Sequence, residues 1–78
     1  MINVSRAIET EMRDGEQTHG AYHSMHEAYA VLLEEVDELW ECVRQKRADR
    51  DRLAMWRECI QVAAVAARIA RQIDEGSL

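Results

Sequence analysis

Two long segments of the chain repeat apolar residues at alternating intervals of four and three, and neither segment contains proline. The first segment keeps this spacing through Met25, Tyr29, Leu32, Val36, Leu39 and Val43. The second keeps it through Leu53, Trp56, Ile60, Ala63, Ala67 and Ala70. Residues three and four apart share one face of an α-helix, so each segment predicts a helix with an apolar stripe. We therefore expect an all-α fold.

Local signals place three helices along the chain. A first helix is predicted over about residues 4–18, with residues 19–21 as its connection to the next. The second is predicted over about residues 24–47, because Ser24 and Glu27 form a capping box. Asp49 or Asp51 can cap the third helix, which is expected to end before Gly76. We interpret residues 1–78 as a single domain, with residues 1–21 as an N-terminal helix and connection and residues 24–74 as a helical pair.

The third predicted helix is apolar over more of its circumference than one partner helix can cover. Together with the first stripe, the set formed by Cys59, Val62, Ala66, Ile69 and Ile73 spans roughly 220° at ~100° per residue. A chain of 78 residues also has only a marginal core of its own. We therefore expect a dimer or tetramer assembled through the second and third helices. Trp40 and Trp56 are expected to pack in the core or between subunits, and Cys42 and Cys59 to be buried thiols.

Charge and hydropathy exclude several classes of partner. Fifteen acidic and ten basic residues give a formal net charge of −5, whereas nucleic-acid binding needs clustered Lys and Arg. No apolar run approaches the ~20 residues needed to span a bilayer. The first six residues lack the apolar core of a secretory signal. We expect neither a nucleic-acid nor a membrane partner, and a cytoplasmic location.

Acidic residues on the second and third helices are the candidate functional residues. Glu35 and Glu38 share one side of the second helix, where Cβ atoms three residues apart lie about 5–6 Å from each other. Glu58 falls within the apolar arc of the third helix, where an unpaired carboxylate is costly. A metal ion, an arginine from another helix or protonation would compensate that cost. The two acidic sites can converge on a divalent cation, although Glu35 and Glu38 alone are equally consistent with a solvated helix face.

The order and spacing of these residues resemble the MazG-like nucleotide pyrophosphohydrolases. Residues 33–39 read Leu-Glu-Glu-Val-Asp-Glu-Leu and match the EExxE segment of that family. Nineteen residues separate Glu38 from Glu58, and residues 58–61 read Glu-Cys-Ile-Gln where the family has ExxD. An Ala- and Val-rich helix follows, so the resemblance covers about residues 24–74.

The resemblance implies a MazG-like helical bundle and a hydrolase of the nucleotide-pool housecleaning type. Such an enzyme uses Mg²⁺, with Mn²⁺ as an alternative, to convert a nucleoside triphosphate, ribo or deoxy, to the monophosphate and pyrophosphate. The resemblance makes Glu35, Glu38 and Glu58 the metal ligands, with Gln61 a weaker ligand in the place of the family's Asp. Glu34, beside these ligands, could orient the attacking water or could be a solvated surface residue.

Gln61 leaves a second interpretation open. An amide oxygen can ligate Mg²⁺, but it contributes no charge and cannot act as a base. The chain is therefore either an active enzyme with altered metal stoichiometry or a catalytically weak or inactive MazG-like module. Such a module would bind nucleotide or serve protein assembly.

Overall fold

The computed structural model describes residues 3–78 of the chain. It contains the helices α1 (Val4–His19), α2 (Met25–Val43) and α3 (Arg52–Glu75), with a short 3-10 helix, Arg47–Asp49, between α2 and α3. Residues 3–78 include no β-strand, so the prediction of an all-α chain with three helices is confirmed. Across these residues, every helix is too short or too polar to traverse a lipid bilayer.

Side-chain caps determine where α2 and α3 begin. Ser24 Oγ accepts a hydrogen bond from the backbone N–H of Glu27 at 3.1 Å, as the capping sequence predicts. Asp51 Oδ1 accepts one from the backbone N–H of Ala54 at 3.0 Å. Of the two aspartates that could cap α3, the structure therefore uses Asp51, while Asp49 closes the preceding 3-10 helix. Each cap satisfies a backbone donor that the first helical turn leaves free.

α2 ends at Val43, about one turn earlier than predicted. The chain then leaves the helix and forms the 3-10 helix, and the side chain of Arg50 returns to the end of α2. Its Nε donates to the backbone carbonyl of Val43 at 3.0 Å, which satisfies one of the acceptors that the last turn exposes. The sequence did not predict this end because residues 44–50 contain no glycine or proline.

α3 is the central element of the fold, since α1 and α2 both pack against it rather than against each other. The shortest dimension of the chain is 19 Å, which corresponds to two layers of helices about 10 Å thick. Tyr22, Ala28, Val65 and Ile69 form a buried cluster where the start of α2 meets the second half of α3. Packing of both helices on one side of α3 leaves its opposite side open.

Only part of the apolar face predicted for α2 is buried in this chain. Ala28 is fully buried and Leu32 and Leu39 are half-buried, so this side of α2 packs on α3. Exposed apolar side chains follow the adjacent side, and we call this set the α2 stripe: Met25, Tyr29, Leu33, Val36 and Trp40. Periodicity alone did not show which half of a wide apolar face meets α3.

The second apolar stripe of α3 is also largely exposed, at Cys59, Ala66 and Ile73. The expectation that both cysteines are buried thiols is therefore wrong for Cys59, while Cys42 is half-buried. Cys59 is exposed because α3 carries more apolar surface than α1 and α2 cover.

Polar side chains from α3 hold the connection between α1 and α2. Gln72 accepts from the backbone N–H of Tyr22 at 2.8 Å and donates to its carbonyl at 3.0 Å. Arg68 donates through Nη2 to the carbonyl of Gly20 at 2.6 Å and through Nη1 to the Tyr22 hydroxyl at 3.1 Å. Gly20 has φ +72°, a conformation that favours glycine, and α1 ends there. The start of α2 is thereby fixed on α3.

Candidate metal centre

The glutamates predicted from two separate helices come together in the structure. Glu35 and Glu38 of α2 and Glu58 of α3 each offer a carboxylate oxygen, and these oxygens lie within 4.8 Å of one another. Oxygens that share one Mg²⁺ lie about 3–4 Å apart, since each Mg–O distance is ~2.1 Å. Small side-chain rotations would therefore let the three carboxylates hold a single cation.

Burial leaves two oxygens of this cluster without a hydrogen-bond partner. They are Glu35 Oε2 and Glu58 Oε2, whereas Glu38 is exposed at the edge of the cluster. No ion pair formed within residues 3–78 involves any of the three glutamates. An arginine partner for Glu58 is thus not found in the described part of the chain, and protonation or a cation remains as compensation.

Burial and the neighbouring carboxyl groups raise the pKa of Glu35 and of Glu58. Burial is the main cause for Glu35, and the charge of Glu38, a hydrogen bond with Glu38 and the charge of Glu58 add to it, so that the pKa of Glu35 rises to about 7. Burial, with the charge of Glu38 second, also raises the pKa of Glu58. Mg²⁺ prefers hard oxygen ligands such as carboxylates, and its positive charge offsets the repulsion between them. The residues present therefore fit this ion.

Metal-free protein should become less stable as the pH rises from about 4.5 to about 7. The pKa of Glu35 is raised in the fold from its ordinary value of 4.5 to about 7, so in this window the folded chain keeps a proton that the unfolded chain releases. Stability is then greatest below the lower value, falls through the window and levels off above it. Because Glu35 is partly exposed, solvent screening limits the loss to about 2 kcal/mol.

Thermal unfolding in a metal chelator at a series of pH values measures this loss. The Glu35→Gln variant should show a flatter profile, because it has no proton to release at this position. A parent chain whose stability rises between pH 5 and pH 7, with the same rise in Glu35→Gln, would contradict the assignment.

Gln61 lies one turn after Glu58, and its amide is held by α1. Nε2 of Gln61 donates to Glu11 Oε2 at 2.8 Å. Because the donor end of the amide is engaged, its carbonyl oxygen is the atom that could face a cation. Glu11 was not predicted as a site residue. No local signal identifies it, since it lies 50 positions from Gln61 in the chain.

A cavity of about 540 Å³ opens beside Glu35, between all three helices. Glu34, exposed on α2, and Gln61 also line it. Its volume lies in the range of cavities that hold small organic ligands. Arg68, only 5% exposed, adds one positive charge to a wall that is otherwise rich in carboxylates. The sequence analysis did not predict that this arginine is buried.

The five residues predicted for the site thus divide into two groups. Glu35, Glu38 and Glu58 form the cluster, while Glu34 and Gln61 line the adjoining cavity together with Glu35. Comparison of the chain with protein-family models, curated proteins and solved structures found no match.

Proposed function

We propose that this chain is a Mg²⁺-dependent nucleoside triphosphate pyrophosphohydrolase of the MazG-like type. The observation that supports this most directly is the convergence of Glu35, Glu38 and Glu58 from two helices. Two buried oxygens of that cluster have no protein partner. Three adjacent carboxylates repel one another unless a proton or a cation lies among them, and a divalent cation compensates them at neutral pH.

Each residue of the site has a role in this proposal. Glu35, Glu38 and Glu58 would hold Mg²⁺, which when bound neutralises phosphate charge and lowers the pKa of a nearby water. Glu34, at the rim of the cavity, would orient the attacking water and accept its proton. Attack of that water on the α-phosphorus would form a new P–O bond and break the bond to the oxygen that bridges the α- and β-phosphates, so that the monophosphate and pyrophosphate are released. The adjoining cavity, about 540 Å³ in volume, would hold the nucleoside.

The acidity of the site favours a substrate that arrives with a metal ion. A free polyphosphate would be repelled by the carboxylates around the cavity and by the net charge of −5. A nucleoside triphosphate already complexed with Mg²⁺ carries less negative charge and brings the cation that the cluster requires. Such a substrate satisfies the electrostatic requirements of both the cluster and the cavity.

Release of pyrophosphate from a panel of nucleotides tests the proposal. The panel contains the common ribo- and deoxyribonucleoside triphosphates and their oxidised or deaminated forms, each with Mg²⁺, Mn²⁺ or a chelator. We expect Mg²⁺-dependent release of pyrophosphate, together with the monophosphate, from at least one of them. Absence of turnover on every nucleotide would refute the enzyme proposal and favour the alternative, a helical module without catalysis.

We further propose that a second copy of the chain covers the α2 stripe. Tyr29 is 62% and Trp40 58% exposed, although aromatic side chains of this size contribute most when they are buried. The exposed apolar side of α3, at Cys59, Ala66 and Ile73, would extend such an interface. A dimer or tetramer would thereby bury apolar surface that the single chain leaves in water.

Sedimentation equilibrium of a Trp40→Glu variant tests this assembly. The parent chain should sediment as a dimer or tetramer, and Trp40→Glu should dissociate it, because a buried unpaired charge opposes association. Ala30→Glu, which adds the same charge at an exposed position outside the α2 stripe, should leave the assembly intact. A monomeric parent chain, or equal effects of the two substitutions, would contradict this interface.

A further inference from the structure

Gln61 and Glu11 form a partly buried pair that joins α3 to α1 beside the candidate metal centre. Nε2 of Gln61 donates to Oε2 of Glu11 at 2.8 Å. Both residues line the cavity beside Glu35 and also a second cavity of about 360 Å³, which Trp56 lines. The pair therefore stands between the two cavities, and the side chain of Gln61 is held at the boundary of the site.

The hydrogen bond determines which end of the Gln61 amide faces α1. A glutamine can bind a cation only through its carbonyl oxygen, because its NH₂ group is a donor with no lone pair to give. An ionised carboxylate only accepts hydrogen bonds, so Glu11 pairs with the NH₂ group and not with the carbonyl. The bond to Glu11 therefore does not use Oε1 of Gln61.

The charge of Glu11 also affects how strongly Oε1 of Gln61 can bind a cation. A hydrogen bond to a carboxylate is stronger than one between neutral groups, and it polarises the amide so that negative charge accumulates on Oε1. Partners of this kind orient metal ligands and increase their basicity in many metal sites. Glu11 can thereby supply, through Gln61, some of the negative charge that an amide lacks.

We propose that Glu11 is a positioning residue of the metal centre, holding the Gln61 amide so that its carbonyl oxygen is presented to the cation. This proposal rests on the metal site of the proposed function. Glu11 belongs to α1 and lies outside residues 24–74, which carry the MazG-like resemblance. Through Glu11, helix α1, which carries no part of the MazG-like motif, would thus contribute to the metal centre.

Mg²⁺ affinity of the full chain tests this role without any measurement of turnover. It is measured by calorimetric titration and by the rise of Tm with Mg²⁺ concentration. Glu11→Ala should weaken Mg²⁺ binding about tenfold. Glu11→Gln should weaken it less, because the carbonyl of the new amide still accepts from Nε2 of Gln61. Glu9→Ala, which removes an exposed charge from the same helix, should leave the affinity unchanged.

A double-mutant cycle with Gln61→Ala shows whether Glu11 acts through Gln61. We expect Glu11→Ala to have no further effect once Gln61 is alanine, since the group that Glu11 orients is then gone. Equal losses in the presence and absence of Gln61 would overturn the positioning role. A Glu11→Ala variant with a lower metal-free Tm but unchanged Mg²⁺ affinity would overturn it as well, because the pair would then be purely structural.

The Glu58→Ala variant shows whether the metal centre exists, independently of the role of Glu11. If Mg²⁺ stabilises the parent chain and Glu58→Ala abolishes that effect, the metal centre stands. An unchanged affinity in Glu11→Ala then refutes the role of Glu11 alone. If Mg²⁺ does not bind the parent chain, the metal centre and the role of Glu11 are both refuted.

Discussion

A Glu58→Gln variant should lose Mg²⁺-dependent pyrophosphate release by at least about a hundredfold and yet unfold at a higher temperature in metal-free buffer. The loss of activity follows because a metal contributes several kcal/mol to phosphoryl chemistry, and about 1.4 kcal/mol corresponds to a factor of ten. The stability gain follows because Oε2 of Glu58 is buried without a partner. Its charge also adds to those that raise the pKa of Glu35.

Removing one of three neighbouring carboxylates relieves their repulsion, and the new amide can donate a hydrogen bond to Glu35 or Glu38. Saturating Mg²⁺ should reverse the order of Tm, because only the parent chain keeps all three carboxylates of the proposed metal centre. This exchange of stability for function is common where charges are gathered for catalysis.

Asp37→Asn provides the matched control for Glu58→Gln. Asp37 is an exposed carboxylate on α2 and is not part of the cluster, so its substitution should change neither activity nor the metal-free Tm appreciably. Thermal unfolding with chelator and with Mg²⁺, together with pyrophosphate release, gives all the required comparisons. A Glu58→Gln variant that retains full activity, or that is less stable than the parent chain in chelator, would contradict the assignment of Glu58.

Replacement of Arg68 by alanine should lower the free energy of unfolding by about 3 kcal/mol, a large fraction of the stability of a small domain. Arg68 is only 5% exposed, and its two hydrogen bonds fix the carbonyl of Gly20 and the hydroxyl of Tyr22. Each acceptor would lose a charged donor whose contribution is about 1.5–3 kcal/mol. The guanidinium also lies 4.6 Å from the centre of the Tyr22 ring, a contact that alanine removes.

Urea denaturation measures the loss, and three further variants identify its cause. Arg68→Lys should recover little, because an ammonium cannot reproduce the two-pronged geometry of the guanidinium. Arg68→Met keeps the aliphatic packing without either hydrogen bond and should recover less than half. Arg57→Ala, at an exposed position of the same helix, should change stability by less than about 0.5 kcal/mol. A loss in Arg68→Ala no larger than this would contradict the structural role.

Gly15→Ala tests the same contact from the opposite side. A Cβ atom at Gly15 would lie 2.8 Å from Nη1 of Arg68, so the guanidinium would have to shift, which strains its hydrogen bond to the Tyr22 hydroxyl. Alanine is favoured over glycine in a helix by about 1 kcal/mol, yet we expect net destabilisation. Gln17→Ala in the same helix, at an exposed position, should be neutral or slightly stabilising. A Gly15→Ala chain more stable than the parent would show that Arg68 can move at little cost.

The helices and the carboxylate cluster were predictable because their signals are local. Glu35 and Glu38 share a side of α2 through helical geometry alone, and Glu58 stood out as a charge within an apolar arc. These positions meet because of how α2 packs on α3. The cap at Ser24 was likewise evident from residues within one turn, whereas for α3 the sequence left Asp49 and Asp51 as alternatives.

The hydrogen bonds that complete the site were not predictable, because they join distant positions. Gln61 meets Glu11 across 50 positions, and Arg68 reaches Gly20 across 48. Which of several polar side chains meet depends on the rotation of each helix about its own axis. A wide apolar face leaves that rotation undetermined, which is why Met25, Tyr29 and Val36 were expected to pack against a helix and are exposed in the single chain.

Periodicity, capping residues and charge spacing were enough to predict three helices and to single out Glu35, Glu38 and Glu58 as candidate residues. These features depend on contacts within a few turns of one helix, so the amino-acid order specifies them. The packing of α1 and α2 on α3 decided the partner of Gln61, the burial of Arg68 and the apolar surface that remains exposed. Those outcomes depend on how helices separated in the chain are oriented toward one another, which only the folded arrangement defines.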